Sequence, residues 1–314
     1  MWAAKRLNVK NAPPETVPMR DVLVWYHETH ALKSTRSHEA AALAFRLLLN
    51  HLPNGASANA FTRAEQVQFV DELGKQGRST SYIRRILNPI KAALNRAEKH
   101  GKIIGPPFVD LSLAPEGNAR ERVLTIDEAR SLLTCAEGQI CLFLIVSLMT
   151  GARPEAVLEL TRRQIDFDRR IIRLNPEGRT QVKTKYRPDI PLVSPLIPHL
   201  AKIGPHWVFP GRGGENRKTI TKGFRQARQE AGLDDQVTAY TLRHTVASEL
   251  AIRGVPQEQI SRLLGHRVGH VTTERYTKVS PNHLREVVRA LEDFAVDLGL
   301  CLPARSQIDL TQRA

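Results

Sequence analysis

Three side chains that could act on a phosphodiester lie close together in the C-terminal half of the sequence. Arg243, His266 and Tyr276 all fall within residues 239–278. An arginine holds a phosphate through two parallel hydrogen bonds and keeps its charge, and a histidine can supply a proton or a hydrogen bond. A tyrosine oxygen can displace a deoxyribose hydroxyl when neighbouring cations activate it. The stretch therefore indicates transfer of a phosphodiester to a protein side chain.

Five short motifs contain these residues and follow one another along the chain. In order they read T-G-A-R-P-E-A-V-L-E-L, V-K-T-K-Y-R-P-D-I-P-L, T-A-Y-T-L-R-H-T-V-A-S, L-L-G-H and T-T-E-R-Y-T-K-V. Taken together they resemble the motifs of the tyrosine recombinase (phage integrase) family, and the match covers residues 123–280. The helical region before residue 123 resembles the core-binding domain of that family in layout only.

The resemblance implies how the phosphate would be held. Arg153, in the first motif, would be the first phosphate-binding arginine, and Arg243 the second. Tyr240 stands three residues before Arg243, where the family has a histidine. Its phenol can donate a hydrogen bond to a phosphate oxygen, but it is no proton reservoir near neutral pH. Tyr240 is therefore predicted to have a supporting role in an active site.

The resemblance also implies the roles in the reaction itself. Lys183 would protonate the leaving 5′-hydroxyl, and Lys185 is the local alternative because the sequence does not fix the hairpin register. His266 would hydrogen-bond the scissile phosphate. Tyr276 would attack it to form a 3′-phosphotyrosyl link, without ATP, metal or another cofactor. The spacing from His266 to Tyr276 is one residue longer than the family pattern, which leaves His270 as an alternative to His266.

Neighbouring residues depart from the family pattern or have ordinary structural explanations. Ala156 stands where an acidic residue is usual, so Glu155 or Glu159 could take over its bracing role. His244 is predicted to pack behind the site because it follows Arg243 on the same helix. Each catalytic candidate, taken singly, could be a helix-end or surface residue. Their joint order and spacing favour function.

The composition favours a polyanionic partner and excludes several other classes of protein. Lys and Arg number 46 against 32 Asp and Glu, which gives a net charge of +14. Cys135, Cys141 and Cys301 lack metal-ligand spacing and are too few for a disulfide framework, so a reducing cytoplasm is expected. The longest apolar run, 140–149, is shorter than the roughly 20 residues of a membrane span. The sequence contains no paired carboxylates that would indicate a metal site. It also contains no glycine-rich phosphate loop, and no small-molecule substrate is expected.

Punctuation by glycine and proline divides the sequence into five parts. We predict a flexible lead-in (1–19), a helical core-binding domain that clamps DNA (20–101), a linker (102–122), a catalytic domain (123–300) and a loose tail (301–314). The fold class is mainly α, with a small β-hairpin or sheet in the catalytic domain (α+β). The lead-in is too short for the arm-binding domain that many integrases carry, which indicates a compact recombinase or a missing start.

Two helices of this scheme bear on function. The fourth helix of the first domain opens at Ser79 and carries weak candidates for phosphate contacts, Arg84, Arg85 and Lys91. Charges on such a helix are otherwise a solvated face. In the second domain, Thr241 is predicted to cap the helix that carries Arg243.

The sequence thus predicts a site-specific recombinase that integrates or excises a mobile element. Its partners would be double-stranded DNA and further copies of itself, by resemblance a tetramer. A helix over 281–298 could dock on a neighbouring copy or pack on its own domain. Two alternatives remain: a type IB topoisomerase-like enzyme, and a catalytically silent DNA-binding protein of the same fold.

Overall fold

Helices make up most of the chain that the computed structural model describes. The described residues are 17–33, 38–105, 107–113, 122–181, 185–266 and 284–300. The chain divides into two units, Met1–Ala119 and Arg120–Ala314. None of the helices in these ranges combines the length and the apolar character that a membrane span requires.

The N-terminal unit is a helical bundle. Its longest helix, α4, shows a buried residue every third or fourth position, which is the spacing of one helix face. Ile86, Leu87, Ile90 and Leu94 are 0–1% exposed and pack against the other helices. Ser79 caps α4 by accepting a hydrogen bond from the Tyr82 backbone at 3.3 Å, as the sequence indicates. The helices are α1 (Met19–Thr29), α2 (His38–His51), α3 (Arg63–Lys75) and α4 (Thr80–Lys99).

Residues 107–113, which the sequence analysis places in the linker, are attached to this bundle. The buried side chain of Gln66 donates from Nε2 to the Asp110 carbonyl at 2.7 Å and accepts from the Asp110 amide at 2.9 Å. Arg84 donates from Nε to the Leu111 carbonyl at 3.3 Å. Sequence periodicity cannot reveal this attachment, because side chains hold an extended backbone without forming a helix or strand.

The C-terminal unit surrounds an apolar helix, α6. The sequence of α6 is apolar on all sides, and its residues from Phe143 to Thr150 are buried, as that pattern predicts. The capping box predicted at Thr125 and Glu128 is present at the start of α5. The helices of the described part of this unit are α5 (Ile126–Thr134), α6 (Gly138–Thr150), α7 (Pro154–Leu158), α8 (Ile197–Leu200), α9 (Thr221–Glu230), α10 (Ala239–Ile252), α11 (Gln257–Leu264) and α12 (Arg285–Asp297).

A small antiparallel sheet lies beside these helices, as the sequence predicts. It has three strands in the order β1 (Ile165–Asp166), β2 (Ile171–Arg173) and β3 (Asp189–Pro191). Ile172 pairs with Ile165 on one side and with Ile190 on the other. These three isoleucines are buried, so the sheet contributes one apolar face to the core.

Helix α10 begins earlier than the sequence analysis predicts. Thr238 is its N-cap, and Thr241 is the third helical residue, whose hydroxyl accepts from the Thr238 amide at 2.9 Å. The prediction that Thr241 caps the helix was therefore wrong. Two threonines three residues apart can each act as a cap, and only the structure decides between them. As a consequence Tyr240 and Arg243 lie on the same side of α10, one turn apart.

Helix α12 packs on its own unit. Val287, Leu291 and Phe294 are 0–1% exposed and belong to the core of the C-terminal unit. Arg253, the C-cap residue of α10, forms an ion pair with Asp297 at 2.5 Å. Of the two arrangements that the sequence left open for this helix, the structure of the single chain contains the intramolecular one.

Candidate active site

The candidate site forms where α6 ends and α7 begins. Gly151 terminates α6 in the left-handed conformation (φ +59°). A Cβ atom at this position would lie 2.8 Å from Leu264 Cδ2 and 3.1 Å from Val246 Cγ1, so only glycine allows α10 and α11 to approach this closely. Pro154 then restarts the chain as α7, with Arg153 as its N-cap. Arg153 therefore projects from a turn with a fixed backbone.

Arg243 is buried and hydrogen-bonds to the C-terminal ends of two helices, α6 and α11. Only 8% of the residue is exposed. Its Nη1 donates to the Gly151 carbonyl at 2.8 Å, and its Nη2 donates to the Leu264 carbonyl at 2.6 Å. Burial, and then the nearby charge of Arg153, lowers the pKa of Arg243 to about 10, which still leaves it charged at neutral pH. The site thus contains a preorganised buried cation.

His266 faces this cation through a ring nitrogen. Its Nε2 lies 3.0 Å from Arg243 Nη2. A guanidinium only donates hydrogen bonds, so Nε2 must be the acceptor and the ring proton sits on Nδ1. Burial, followed by the charges of Arg243 and Arg153, lowers the pKa of His266 below its ordinary value. At neutral pH the imidazole is therefore neutral and offers its Nδ1–H as a donor.

The segment before β3 lies against the end of α11. Gly265 has φ +68°, and a Cβ atom there would lie 2.7 Å from the Tyr186 carbonyl oxygen and 2.8 Å from Pro188 Cδ. The same Tyr186 carbonyl accepts a hydrogen bond from Arg153 Nη1 at 2.9 Å. The guanidinium of Arg153 is thus positioned by the hairpin segment that follows Lys185.

Tyr240 contacts one of the two glutamates considered from the sequence. Its hydroxyl donates to the Glu155 carboxylate, with distances of 3.3 and 3.4 Å to the two oxygens. Burial, and then Glu155, raises the pKa of Tyr240, although Arg153 and Arg243 oppose the shift. Glu159 has a different partner, the buried Arg187.

The structure brings four predicted site residues together: Arg153, Tyr240, Arg243 and His266. The other predicted catalytic residues, Lys183 and Tyr276, lie outside the described residues, as does the alternative His270. Lys185 is described and exposed, one residue before Tyr186.

Some neighbours of the site lie in surroundings that the sequence did not predict. His244 is exposed on α10 rather than packed behind Arg243. The buried Arg187 and the Tyr186 carbonyl were missed, since a main-chain acceptor and a buried arginine in a short strand-like segment leave no sequence signal. Among the described residues, no group of three or more His, Cys, Asp or Glu side chains could hold a metal ion.

The weak candidates for DNA contacts lie on α4 in the N-terminal unit. Arg85 is exposed, and its guanidinium lies over the Tyr82 ring, 5.2 Å from the centroid. Lys91 is half-buried. The pKa of Asp110 is lowered chiefly by hydrogen bonds from Ser112, and then by the charges of Arg63 and Lys91. Arg84 already donates to backbone carbonyls of residues 107–113. A role for these cations in DNA binding stays a prediction.

Known proteins resemble this chain in sequence. The model described as Phage integrase family matches residues 122–283. An integrase of Salmonella phage P22 is 28% identical over 224 residues, which cover 66% of this chain and 56% of the relative. An integrase of Streptomyces ambofaciens is 30% identical over 238 residues, or 62% of this chain and 60% of the relative. The tyrosine recombinase XerD of Listeria monocytogenes is 23% identical over 250 residues, which cover 74% of this chain and 82% of the relative. The chain thus spans a little over half the length of the two integrases.

Solved structures resemble it in fold. A lambda integrase dimer bound to a COC′ core site superposes with a TM-score of 0.66 at 18% identity, covering 80% of this chain and 96% of that one. The Tn1549 transposon integrase in complex with circular intermediate DNA gives 0.66 at 17% identity, covering 86% and 98%. A lambda integrase tetramer bound to a Holliday junction gives 0.65 at 19% identity, covering 82% and 77%. The predicted mainly α fold with a small sheet is confirmed.

Proposed function

This chain belongs to the phage integrase family, and on that premise we propose that it is a site-specific DNA recombinase. The observation that carries the proposal is the convergence of Arg153, Arg243 and neutral His266 on one site. Arg153 is near enough to lower the pKa of both other residues. Two guanidiniums and a neutral donor suit the negative charge that develops on a phosphodiester in the transition state.

The proposed reaction conserves the energy of the phosphodiester bond. The Tyr276 oxygen attacks the phosphorus and gives its proton to water, a P–O bond to the tyrosine forms, and the bond to the 5′-oxygen breaks. Lys183 gives its proton to the departing 5′-oxygen. Arg153 and Arg243 bind the non-bridging oxygens while His266 donates from Nδ1. Attack by the 5′-hydroxyl of another strand reverses the steps and releases the tyrosine.

The proposed partners are double-stranded DNA and further copies of this chain. Strand exchange between two duplexes needs several active sites. Lambda integrase has been solved both as a dimer on a core site and as a tetramer on a Holliday junction. The proposed working unit is a homotetramer that integrates or excises a mobile element. The proposed division of labour is that residues 20–101 clamp the duplex while residues 123–300 carry out the chemistry.

The test of this proposal is covalent capture of DNA. The purified chain is incubated with nicked duplexes taken from its own genomic flanks, so that cleavage releases a short strand and traps the intermediate. After denaturation, a protein–DNA adduct that maps to Tyr276 by mass spectrometry is the expected result. Tight DNA binding with no adduct on any substrate would refute the proposed recombinase activity and favour a catalytically silent DNA-binding protein of the same fold.

Replacing Tyr240 by phenylalanine should slow cleavage about tenfold, because a hydrogen bond to a charged group contributes about 1.5 kcal/mol or more. The raised pKa of Tyr240 keeps its hydroxyl protonated, so the slowing should be the same from pH 6.5 to pH 9. Single-turnover cleavage rates measure this. Tyr240→His is the matched control, since an imidazole should add a pH dependence near its ordinary pKa of about 6.5. A Tyr240→Phe defect that disappears in alkali would contradict the donor role.

Replacing Lys183 by alanine should slow cleavage about a hundredfold, the lower range for the loss of a general acid. A 5′-bridging sulfur in the substrate should largely restore the rate, because a thiolate leaves without protonation. Lys185→Ala is the matched control and should stay within a few-fold of the unmodified protein. If the sulfur substrate restored the rate of Lys185→Ala but not that of Lys183→Ala, Lys185 would be the general acid.

A further inference from the structure

We infer that Arg187 and Glu159 form a positioning pair for Arg153. This inference rests on the proposed role of Arg153 in binding phosphate. Neither side chain is assigned to contact DNA. Their proposed task is to fix the place and direction of the Arg153 guanidinium before the substrate arrives.

The three residues are joined in a closed loop of interactions. Arg153 is the N-cap of α7, and Glu159 is the C-cap of the same short helix. Glu159 Oε2 lies 2.8 Å from Arg187 Nη1. One peptide unit before Arg187, the Tyr186 carbonyl accepts from Arg153 Nη1 at 2.9 Å. Moving any member of this loop displaces the acceptor that holds Arg153.

The backbone around Arg187 is also held in place. Its amide donates to Gln181 Oε1 at 3.2 Å, and its carbonyl accepts from Gln181 Nε2 at 2.7 Å. On the other side, the Tyr186 carbonyl lies so close to Gly265 that an added Cβ atom would be 2.7 Å from its oxygen. The Arg187 side chain supplies the remaining restraint, because it connects this segment to α7.

The burial of Arg187 distinguishes this ion pair from those at the surface of the same unit. The Arg187 side chain is 5% exposed, whereas that of Arg173, paired with Asp166 on β1 and β2, is 41% exposed. A buried charge that loses its partner is costly, while an exposed pair contributes little. The segment therefore has one favourable position, in which the two charges meet. Errors of about 1 Å in the position of a catalytic group slow reactions by about a hundredfold.

The decisive experiment is a double-mutant cycle between Arg187 and Arg153 on a suicide DNA substrate. Arg187→Met should slow single-turnover cleavage about a hundredfold, with DNA affinity nearly unchanged. In an Arg153→Ala background the same substitution should cause almost no further loss, since Arg187 acts through Arg153. Arg173→Met is the matched control and should change the rate by no more than about twofold.

A loss that multiplies in the Arg153→Ala background would overturn the inference, because Arg187 would then act independently of Arg153. If Arg187→Met does not fold, Arg187→Met/Glu159→Met removes both charges and allows the same cycle. Arg187→Lys keeps a charge near Glu159 and should recover part of the rate.

A second measurement separates this inference from the proposed function. In the DNA-free full chain, the Nη1–H NMR signal of Arg153 should shift and exchange faster with water in Arg187→Met than in the unmodified protein, because Nη1 donates to the Tyr186 carbonyl. That result would support the positioning pair even if the unmodified chain cleaved no DNA. An Arg153 signal unchanged by Arg187→Met would refute the pair whatever the cleavage rates are.

Discussion

Cleavage by the Arg243→Ala variant is expected to be about a thousandfold slower than cleavage by the unmodified protein. Removing one preorganised donor from a site of developing negative charge costs 10²–10³ in rate, and Arg243 supplies both a full charge and several donors. The substitution also leaves the Gly151 and Leu264 carbonyls without their buried donor. Each such acceptor destabilises the fold by about 1–3 kcal/mol. Single-turnover cleavage and thermal unfolding should therefore both change.

The control for Arg243 must separate charge from folding. Arg243→Lys retains a cation but cannot reach both carbonyls and His266 at once. We expect it to unfold at a temperature closer to that of the unmodified protein and still to cleave slowly. A normal cleavage rate in Arg243→Ala would exclude Arg243 as the phosphate-binding residue.

Replacing Tyr276 by phenylalanine is expected to abolish covalent attachment to DNA while leaving DNA affinity nearly unchanged. Only one oxygen atom is removed, and the proposed phosphate contacts of Arg153, Arg243 and His266 stay in place. The measurement pairs a denaturing gel for the adduct with a binding titration under native conditions. Tyr240→Phe is the comparison, because it removes the phenol oxygen beside Glu155 and should still form the adduct. An adduct that persists in Tyr276→Phe would point to a different nucleophile.

Much of the fold follows from local rules. The all-round apolar sequence of α6 predicted a core helix, and Thr125 with Glu128 predicted the start of α5. The break at Gly151 and the restart at Pro154 could also be predicted, since both depend on the backbone preferences of single residues. The positions of Arg153 and Arg243 in ordered motifs predicted that the two side chains would lie near each other, and the charge of Arg153, after burial, lowers the pKa of Arg243. Their catalytic roles stay predictions.

Contacts between distant parts of the chain could not be predicted in this way. The sequence offered Glu155 and Glu159 as equivalent bracing residues, but one contacts Tyr240 and the other Arg187. The choice depends on which side of α7 faces the hairpin, and that is a matter of tertiary packing. The exposure of His244 depends on packing in the same manner, because a helix position alone does not say what covers it.

The fastening of residues 107–113 has a consequence for sequence drift. Gln66 recognises only main-chain atoms, the amide and carbonyl of Asp110. The side chain at position 110 can therefore change without loss of either bond, whereas a carboxylate in place of the Gln66 amide would face the carbonyl with no donor. The selective constraint on these hydrogen bonds falls on Gln66 and Arg84, which both bind main-chain atoms of the segment. Within the segment, descendants of this chain could change the side chain at position 110 and keep the same path, provided that Val109, Leu111 and Leu113 stay apolar and packed on the bundle.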